Sequence, residues 1–266
     1  CANNASVVLN GSITLATGGV WSGGAGTYAP NNTALNATYT PTAAELAGGI
    51  LTLTLSTTGN GSCNASTDNR IITFTPAPIV DAGANGTVCA NAATITLNGS
   101  VNGAGGGVWS GGTGTFTPNN TALNATYQPS AAERAAGTVT LTLTSTGNGL
   151  CNAVSDAVTF TISPAPTANA GVDQTLCSNN PVATLNGGFT VATGAVWSGG
   201  AGSFFPSTTN MNATYTPTAA EVADGSVTLT LTTTGNGLCN AVSDNVVLTF
   251  TPAPTVNAGT DASVCV

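Results

Sequence analysis

Seven cysteines recur on a strict spacing: Cys1, Cys89, Cys177 and Cys265 lie 88 residues apart, as do Cys63, Cys151 and Cys239. A thiolate can ligate metal, attack a carbonyl or pair with another thiol, and its surroundings decide which. No histidine and no Cys-x-x-Cys motif accompanies these residues, so the pattern does not fit a zinc site. Disulfides made in an oxidising compartment are the reading that fits. With no lysine in the chain, a Lys–Asn isopeptide cross-link is chemically unavailable, which leaves disulfides as the covalent staples.

Acid–base chemistry is also thinly supplied. Without histidine or lysine, a serine or cysteine nucleophile has no ordinary base, and carboxylates alone remain. Glu45, Glu133 and Glu221 each sit three residues after a hydroxyl, at Thr42, Ser130 and Thr218. That spacing is a helix capping box, which accounts for the glutamates structurally rather than catalytically. Asp68, Asp156 and Asp244 recur at the start of the last strand of each repeat, and Asp173 and Asp261 fall in the opening turn, where Asn85 stands in the second repeat. Calcium would accept such oxygens, but lone turn aspartates read as solvated hydrogen-bond acceptors, so no cofactor or metal is expected.

Trp21, Trp109 and Trp197 could offer stacking platforms for a sugar; on the central strand of a sandwich they read instead as core. The run Trp21-Ser22-Gly23-Gly24 lacks the lysine and following helix of a phosphate loop. Sequons such as Asn10-Gly11-Ser12 and Asn36-Ala37-Thr38 follow from abundant Asn, Ser and Thr and carry little weight.

Charged residues make up 5% of the 266, and the net charge is -8 with Arg70 and Arg134 as the only cationic side chains. Phosphate backbones are bound by clustered Lys and Arg, so nucleic acid is set aside as a partner. No apolar run approaches the length needed to cross a bilayer as a helix, and no N-terminal signal peptide is read. Because Cys1 opens mid-repeat, the chain is expected to be a window on a longer polypeptide, its export signal lying elsewhere.

The elements that must position these residues follow from the 88-residue period. Linkers recur on it as Thr75-Pro76-Ala77-Pro78, Ser163-Pro164-Ala165-Pro166 and Thr251-Pro252-Ala253-Pro254. Proline fixes φ and removes a donor, so each linker ends the strand before it. Four segments result: residues 1–76, a repeat lacking its opening strand; 77–164 and 165–252, complete repeats; and 253–266, the opening strand of a fourth. The period exceeds that of a solenoid and suits a self-contained sandwich.

In the second repeat, Ala93–Leu97 alternates apolar and polar and predicts a half-buried strand ending at Asn98-Gly99. Val108-Trp109, Thr115–Thr117 and Ala125–Tyr127 predict short strands, and Ser130–Glu133, with Gly137 as C-cap, predicts one helical turn. Thr138–Thr144 directs Val139, Leu141 and Leu143 inward, and Asn148-Gly149 predicts a tight hairpin into Ala157–Ile162. Seven short strands give an all-β fold: tandem Ig-like antiparallel β-sandwich modules, head to tail, each with one short helical turn.

The opening Asn169–Leu176, the Leu-Asn-Gly strand, the tryptophan strand and the closing Thr-Leu-Thr-Leu hairpin resemble polycystin-type (PKD-like) and related Ig-like domains. In its cysteine-bearing, tandem form the chain is similar to the repeats of giant surface adhesins of Bacteroidota, gliding adhesins included. The resemblance covers the whole chain and implies an extracellular stalk on the bacterial cell surface, with no catalytic residue carried over.

Two disulfide pairings stay open. Each module could close on itself through Cys1–Cys63, Cys89–Cys151 and Cys177–Cys239, with Cys265 expected to await a partner beyond the window; a loop of about 60 residues is worth about 4 kcal/mol in the chain-entropy model. Alternatively, Ig strand order puts the two cysteines of one module at opposite ends, and a ten-residue strand spans about 33 Å, far beyond the reach of a disulfide. That reading pairs Cys1 with Cys151 and Cys89 with Cys239. The expected function is a structural stalk or filament segment spacing a distal binding region from the cell, with further copies of the repeat in the same polypeptide as partners and lateral self-association into a filament as a further partnership. The alternative is a repeated weak carbohydrate binder acting by avidity. Threonine-rich ice binding is a third, disfavoured because sandwiches twist.

Overall fold

The structure, a computed structural model, describes residues 1–263. Among the described residues it is all-β apart from three six-residue helices. The first module contributes β1 (Val7–Val8), β2 (Gly18–Ser22), β3 (Thr27–Ala29), β4 (Thr38–Thr40), α1 (Ala43–Gly48), β5 (Ile50–Thr58) and β6 (Thr67–Thr73). The second contributes β7 (Ile79–Asp81), β8 (Gly86–Cys89), β9 (Ile95–Thr96), β10 (Ser100–Asn102) and β11 (Gly106–Ser110). It continues with β12 (Thr115–Thr117), β13 (Thr126–Gln128), α2 (Ala131–Ala136), β14 (Thr138–Thr146) and β15 (Ser155–Ser163). The third repeats this series as β16 (Thr167–Asn169), β17 (Gln174–Cys177), β18 (Ala183–Thr184), β19 (Gly188–Thr190) and β20 (Gly194–Ser198). It ends with β21 (Ser203–Phe205), β22 (Thr214–Thr216), α3 (Ala219–Asp224), β23 (Ser226–Thr234) and β24 (Ser243–Thr251).

Packing divides the chain into two compact units: one is built on the first module with Thr96–Tyr127 and Thr140–Thr159, the other on the third with Gly86–Ile95 and Gln128–Val139. In the third module, β17, β24, β23 and β20 form one sheet and β18, β22 and β21 another, with β16 and β19 as a separate pair. The core between them holds Trp197, Tyr215, Leu229, Leu231, Val246 and Leu248. It is supplied by alternation: in β23 Leu229, Leu231 and Thr233 are buried while Thr228, Thr230 and Thr232 between them are more exposed, the period-2 pattern of a half-buried strand. In the first module Trp21, Tyr39, Leu53 and Leu55 hold the matching places.

Three features differ from the sequence expectation. The opening segment is two strands, not one. β16 pairs antiparallel with β19, whereas β17 runs parallel to β24; β7 with β10 and β8 with β15 repeat the arrangement. Between each pair of strands sits a glycine, Gly83 or Gly171, at φ 86. Its left-handed backbone lets the chain leave one sheet for the other. The expected Asn-Gly hairpin is instead an eight-residue connection, residues 147–154 between β14 and β15. Asn148 lies near its start, its carbonyl accepting from the Cys151 N–H at 3.0 Å, and the extra residues carry the cysteine outward. Finally, the expected strand Ala93–Leu97 is reduced to Ile95–Thr96, since Leu97 N–H donates to the Ala125 carbonyl outside the ladder.

Candidate functional site

The residues that join one part of each unit to another are a disulfide and an asparagine pair. Cys1 bonds Cys151 and Cys89 bonds Cys239, both with Cα atoms 5.0 Å apart and 150 residues apart in sequence. Beside the first, Asn3 Nδ2 donates to the Asn152 carbonyl at 3.0 Å, Asn152 N–H donates to Asn3 Oδ1 at 3.0 Å, and Asn152 Nδ2 donates to the Asn3 carbonyl at 2.9 Å. Asn91 and Asn240 repeat all three bonds at 3.0, 3.1 and 3.0 Å. Each clasp is therefore one covalent bond flanked by three amide hydrogen bonds.

The pairing within a module, Cys1–Cys63, Cys89–Cys151 or Cys177–Cys239, does not occur. The β5–β6 hairpin explains it: Cys1 lies at the linker end, where Ala2 N–H donates to the Thr75 carbonyl at 2.9 Å, while Cys63 lies in the loop at the far end. Nine residues of β5 separate the two ends, about 30 Å of extended chain. Cys177 stands likewise beside Thr251 (Ser178 N–H to the Thr251 carbonyl, 2.8 Å), with Cys239 across the length of β23 and β24. Cys63 and Cys177 carry free thiols. Cys265 lies outside the described residues.

The glutamates form a second constellation. Glu45 Oε2 accepts from the Thr42 N–H and Oγ1 at 2.7 and 3.1 Å, while Thr42 Oγ1 accepts from the Glu45 N–H at 3.3 Å. Glu45 Oε1 then accepts from the Tyr39 hydroxyl and the Ala25 N–H, both at 2.7 Å. Burial pushes this carboxyl up, but the bonds from Thr42, Tyr39 and Ala25 outweigh it and hold the pKa at about 2. Tyr39, buried and donating to that carboxylate, is pushed up to about 12. Thr218, Glu221, Tyr215 and Ala201 repeat the arrangement in the third module. There too burial raises and the same hydrogen bonds lower the Glu221 carboxyl, with a net downward shift. In the second, Ser130 and Glu133 form the same capping box at α2. The carboxylate thus ties the helix start to the glycine-rich loop, a role that keeps it ionised and fully hydrogen-bonded.

The aspartates hold the opening strands. Asp156 Oδ2 accepts from the Ala82 N–H and Asp244 Oδ2 from the Ala170 N–H, each at 2.8 Å. Asp173 Oδ1 accepts from the Val247 N–H at 2.8 Å, and Asn85 Oδ1 does the same for Thr159 at 2.7 Å. Asn85 can replace aspartate because only a neutral acceptor is needed. Among the described residues no group of three His, Cys, Asp or Glu side chains is placed to hold a metal ion. The tryptophans are 3%, 0% and 1% exposed, and the Trp21 and Trp109 indoles donate to the Leu35 and Leu123 carbonyls at 3.2 Å. A sugar cannot stack on them.

The asparagine half of the clasp was missed by sequence reasoning. Its signal was present: Asn3, Asn91 and Asn179 follow the first cysteine of each repeat by two, and Asn64, Asn152 and Asn240 follow the second by one.

No family model matches the chain, and no curated protein matches it. Among solved structures it is similar to three repeats of mouse cadherin-23, at 13% identity and TM-score 0.38, covering 93% of this chain and 91% of that one. Mouse protocadherin-24 is similar at 10% identity and TM-score 0.38, covering 92% and 93%. The Sidekick-1 immunoglobulin domains are similar at 13% identity and TM-score 0.32, covering 94% and 57%. At such identities and TM-scores the likeness carries no argument about this chain.

Proposed function

We propose that this chain is a structural segment of a secreted surface stalk or filament, its modules at 1–76, 77–164 and 165–252 acting as tension-bearing units that hold a distal binding region away from a bacterial cell. The observation that supports this most is the clasp. A disulfide that joins residues 150 apart, repeated on the module period, constrains consecutive repeats rather than shaping a pocket. In the chain-entropy model a loop of that length stabilises by about 5 kcal/mol. Disulfides of this kind form and persist outside the cytosol, which fits an extracellular location. Glu45, Glu133, Glu221, Asp156, Asp173, Asp244 and the buried tryptophans are engaged in holding the fold, so the reading assigns no catalysis to them.

Adhesion of the gliding type, on a bacterial surface, is the particular setting proposed. Antibody raised against the chain should label fibres on intact, unpermeabilised cells in electron micrographs. Labelling only after permeabilisation would overturn the reading.

A further inference from the structure

We propose that the paired asparagines are the positioning groups of the inter-repeat bridge: they dock one repeat on the next before any sulfur is oxidised, select which cysteines meet, and keep the two sulfurs in register when the bridge is reduced. This role concerns how the bridge forms and is independent of the stalk reading.

Chain statistics do not select the observed bridge. The free energy of closing a loop grows as about 1.5RT times the logarithm of its length. Cys89 and Cys239 are 150 residues apart, whereas Cys89 and Cys151 are about 60 apart, so an unstructured chain would bring the nearer pair together about fourfold more often. A specific contact between repeats has to reverse that preference, and the asparagines supply one.

Asn91 and Asn240 meet as two strands of a ladder meet. The Asn91 side chain donates from Nδ2 to the Asn240 carbonyl at 3.0 Å and accepts at Oδ1 from the Asn240 N–H at 3.1 Å. Opposed residues of an antiparallel sheet exchange the same two bonds, here with a side-chain amide in place of one backbone. Asn240 Nδ2 returns a third bond to the Asn91 carbonyl at 3.0 Å. Asn3 and Asn152 make all three as well, so the contact belongs to the repeat and not to one junction.

Each asparagine is presented by structure local to its own repeat and independent of the sulfur bond. On one side β8 lies in register with β15, Cys89 opposite Ser163, and the Ala92 N–H donates to the Cys89 carbonyl at 2.9 Å, closing a turn that leaves Asn91 exposed. On the other, the Cys239 N–H donates to the Asn236 carbonyl at 3.0 Å, and Asn236 Nδ2 anchors the loop on the Thr233 carbonyl at 3.2 Å. The asparagine contact is therefore available to a chain whose cysteines are still thiols. Cys89 lies two residues before Asn91 and Cys239 one before Asn240, so docking the amides brings the sulfurs together.

The surroundings of the sulfurs suit a bond that opens and closes. Cys89 Sγ is 3.2 Å from Asn91 Oδ1, and Cys239 Sγ is 3.6 Å from the Pro164 carbonyl oxygen. At the other junction Cys1 Sγ is 3.2 Å from Asn3 Oδ1, and Cys151 Sγ is 3.6 Å from the Pro76 carbonyl oxygen. A thiol is a weak donor, so each S–H made by reduction finds an acceptor already in place and the repeats stay docked. Re-oxidation by glutathione disulfide forms one S–S bond between the cysteines, breaks the one in glutathione, and passes the two cysteine protons to the two glutathione thiols released.

The test uses the full chain, dilute, in glutathione buffers of graded redox potential, with each bridge quantified by non-reducing peptide mapping. N91A removes two of the three amide bonds at one junction and leaves Asn3 and Asn152 intact at the other, so the Cys1–Cys151 bridge of the same molecule reports on folding. The expected result is a Cys89–Cys239 bridge whose equilibrium constant against glutathione falls about tenfold, beside an unchanged Cys1–Cys151 bridge. In the reduced chain the Asn240 N–H should exchange about tenfold more slowly than in reduced N91A. A Cys89–Cys239 bridge that N91A leaves unchanged, a fall in both bridges alike, or an Asn240 N–H that exchanges equally fast in the two reduced chains would each overturn the proposal and leave the stalk reading standing.

Discussion

Val191 and Leu15 occupy one turn position in two modules, at φ 67 and 63, where the second module has Gly103 at φ 77. A β-branched residue is costly in that region, by about 1 to 3 kcal/mol, and Val191 is 57% exposed, so packing returns little. V191G should therefore raise stability by about 1 kcal/mol, seen as a melting temperature a few degrees higher; an unchanged or lower value would show that the side chain makes a contact worth the strain. Glu45 and Glu221 carry a pH prediction. Their folded pKa values lie below the ordinary carboxylate range, so the stability they supply is complete above about pH 5 and lost as pH falls towards 2. E45Q with E221Q should flatten the acid limb of a pH–stability curve measured by denaturant titration. Tyr39 and Tyr215, raised to about 12, give the opposite limb, with stability lost as pH rises from 10 to 12.

At the scale of elements, the attachment of the short opening strands rests on single side-chain acceptors. The pair of β16 and β19 is three residues long, and the Ala170 N–H that follows it depends on Asp244. D244A should cost about 1 to 3 kcal/mol by stranding that buried donor, and hydrogen exchange at Ala170 and the β16 amides should quicken before that of β23. The helices and their caps were legible because both halves of each capping box are local in sequence, as was β23, whose Leu–Thr alternation states its buried face. The split of the opening segment was not legible. The parallel partner of β17 is β24, at the other end of the module, with Gln174 set opposite Leu248, and nothing within Asn169–Leu176 announces which sheet each half joins. The loop carrying Cys151 differs from the hairpin expectation because Asn148-Gly149 has the local chemistry of a two-residue turn, whereas the connection is eight residues long, as is residues 59–66 in the first repeat, where Cys63 is unbonded.

For the whole molecule, the cysteine period showed that bridges exist but not which sulfurs meet, since that depends on hairpin length rather than on composition. C151S should lower stability by several kcal/mol, and by more than loss of the flanking amide bonds in N152A, in chemical denaturation of the oxidised chain. The overlap of the two bridges also changes how force is carried. A pull applied at Cys1 and Cys177 need not run along all the backbone between them: it can cross the sulfurs to Cys151 and then follow only the stretch from Cys151 to Cys177. Fully drawn out, that shortcut measures about 90 Å, against about 600 Å for the backbone route. Optical-tweezer traces should show an oxidised chain that goes taut near the shorter length even after its sandwiches have melted, and one that lengthens several-fold once a reductant is added, making the molecule a strap whose give is limited by sulfur rather than by folding.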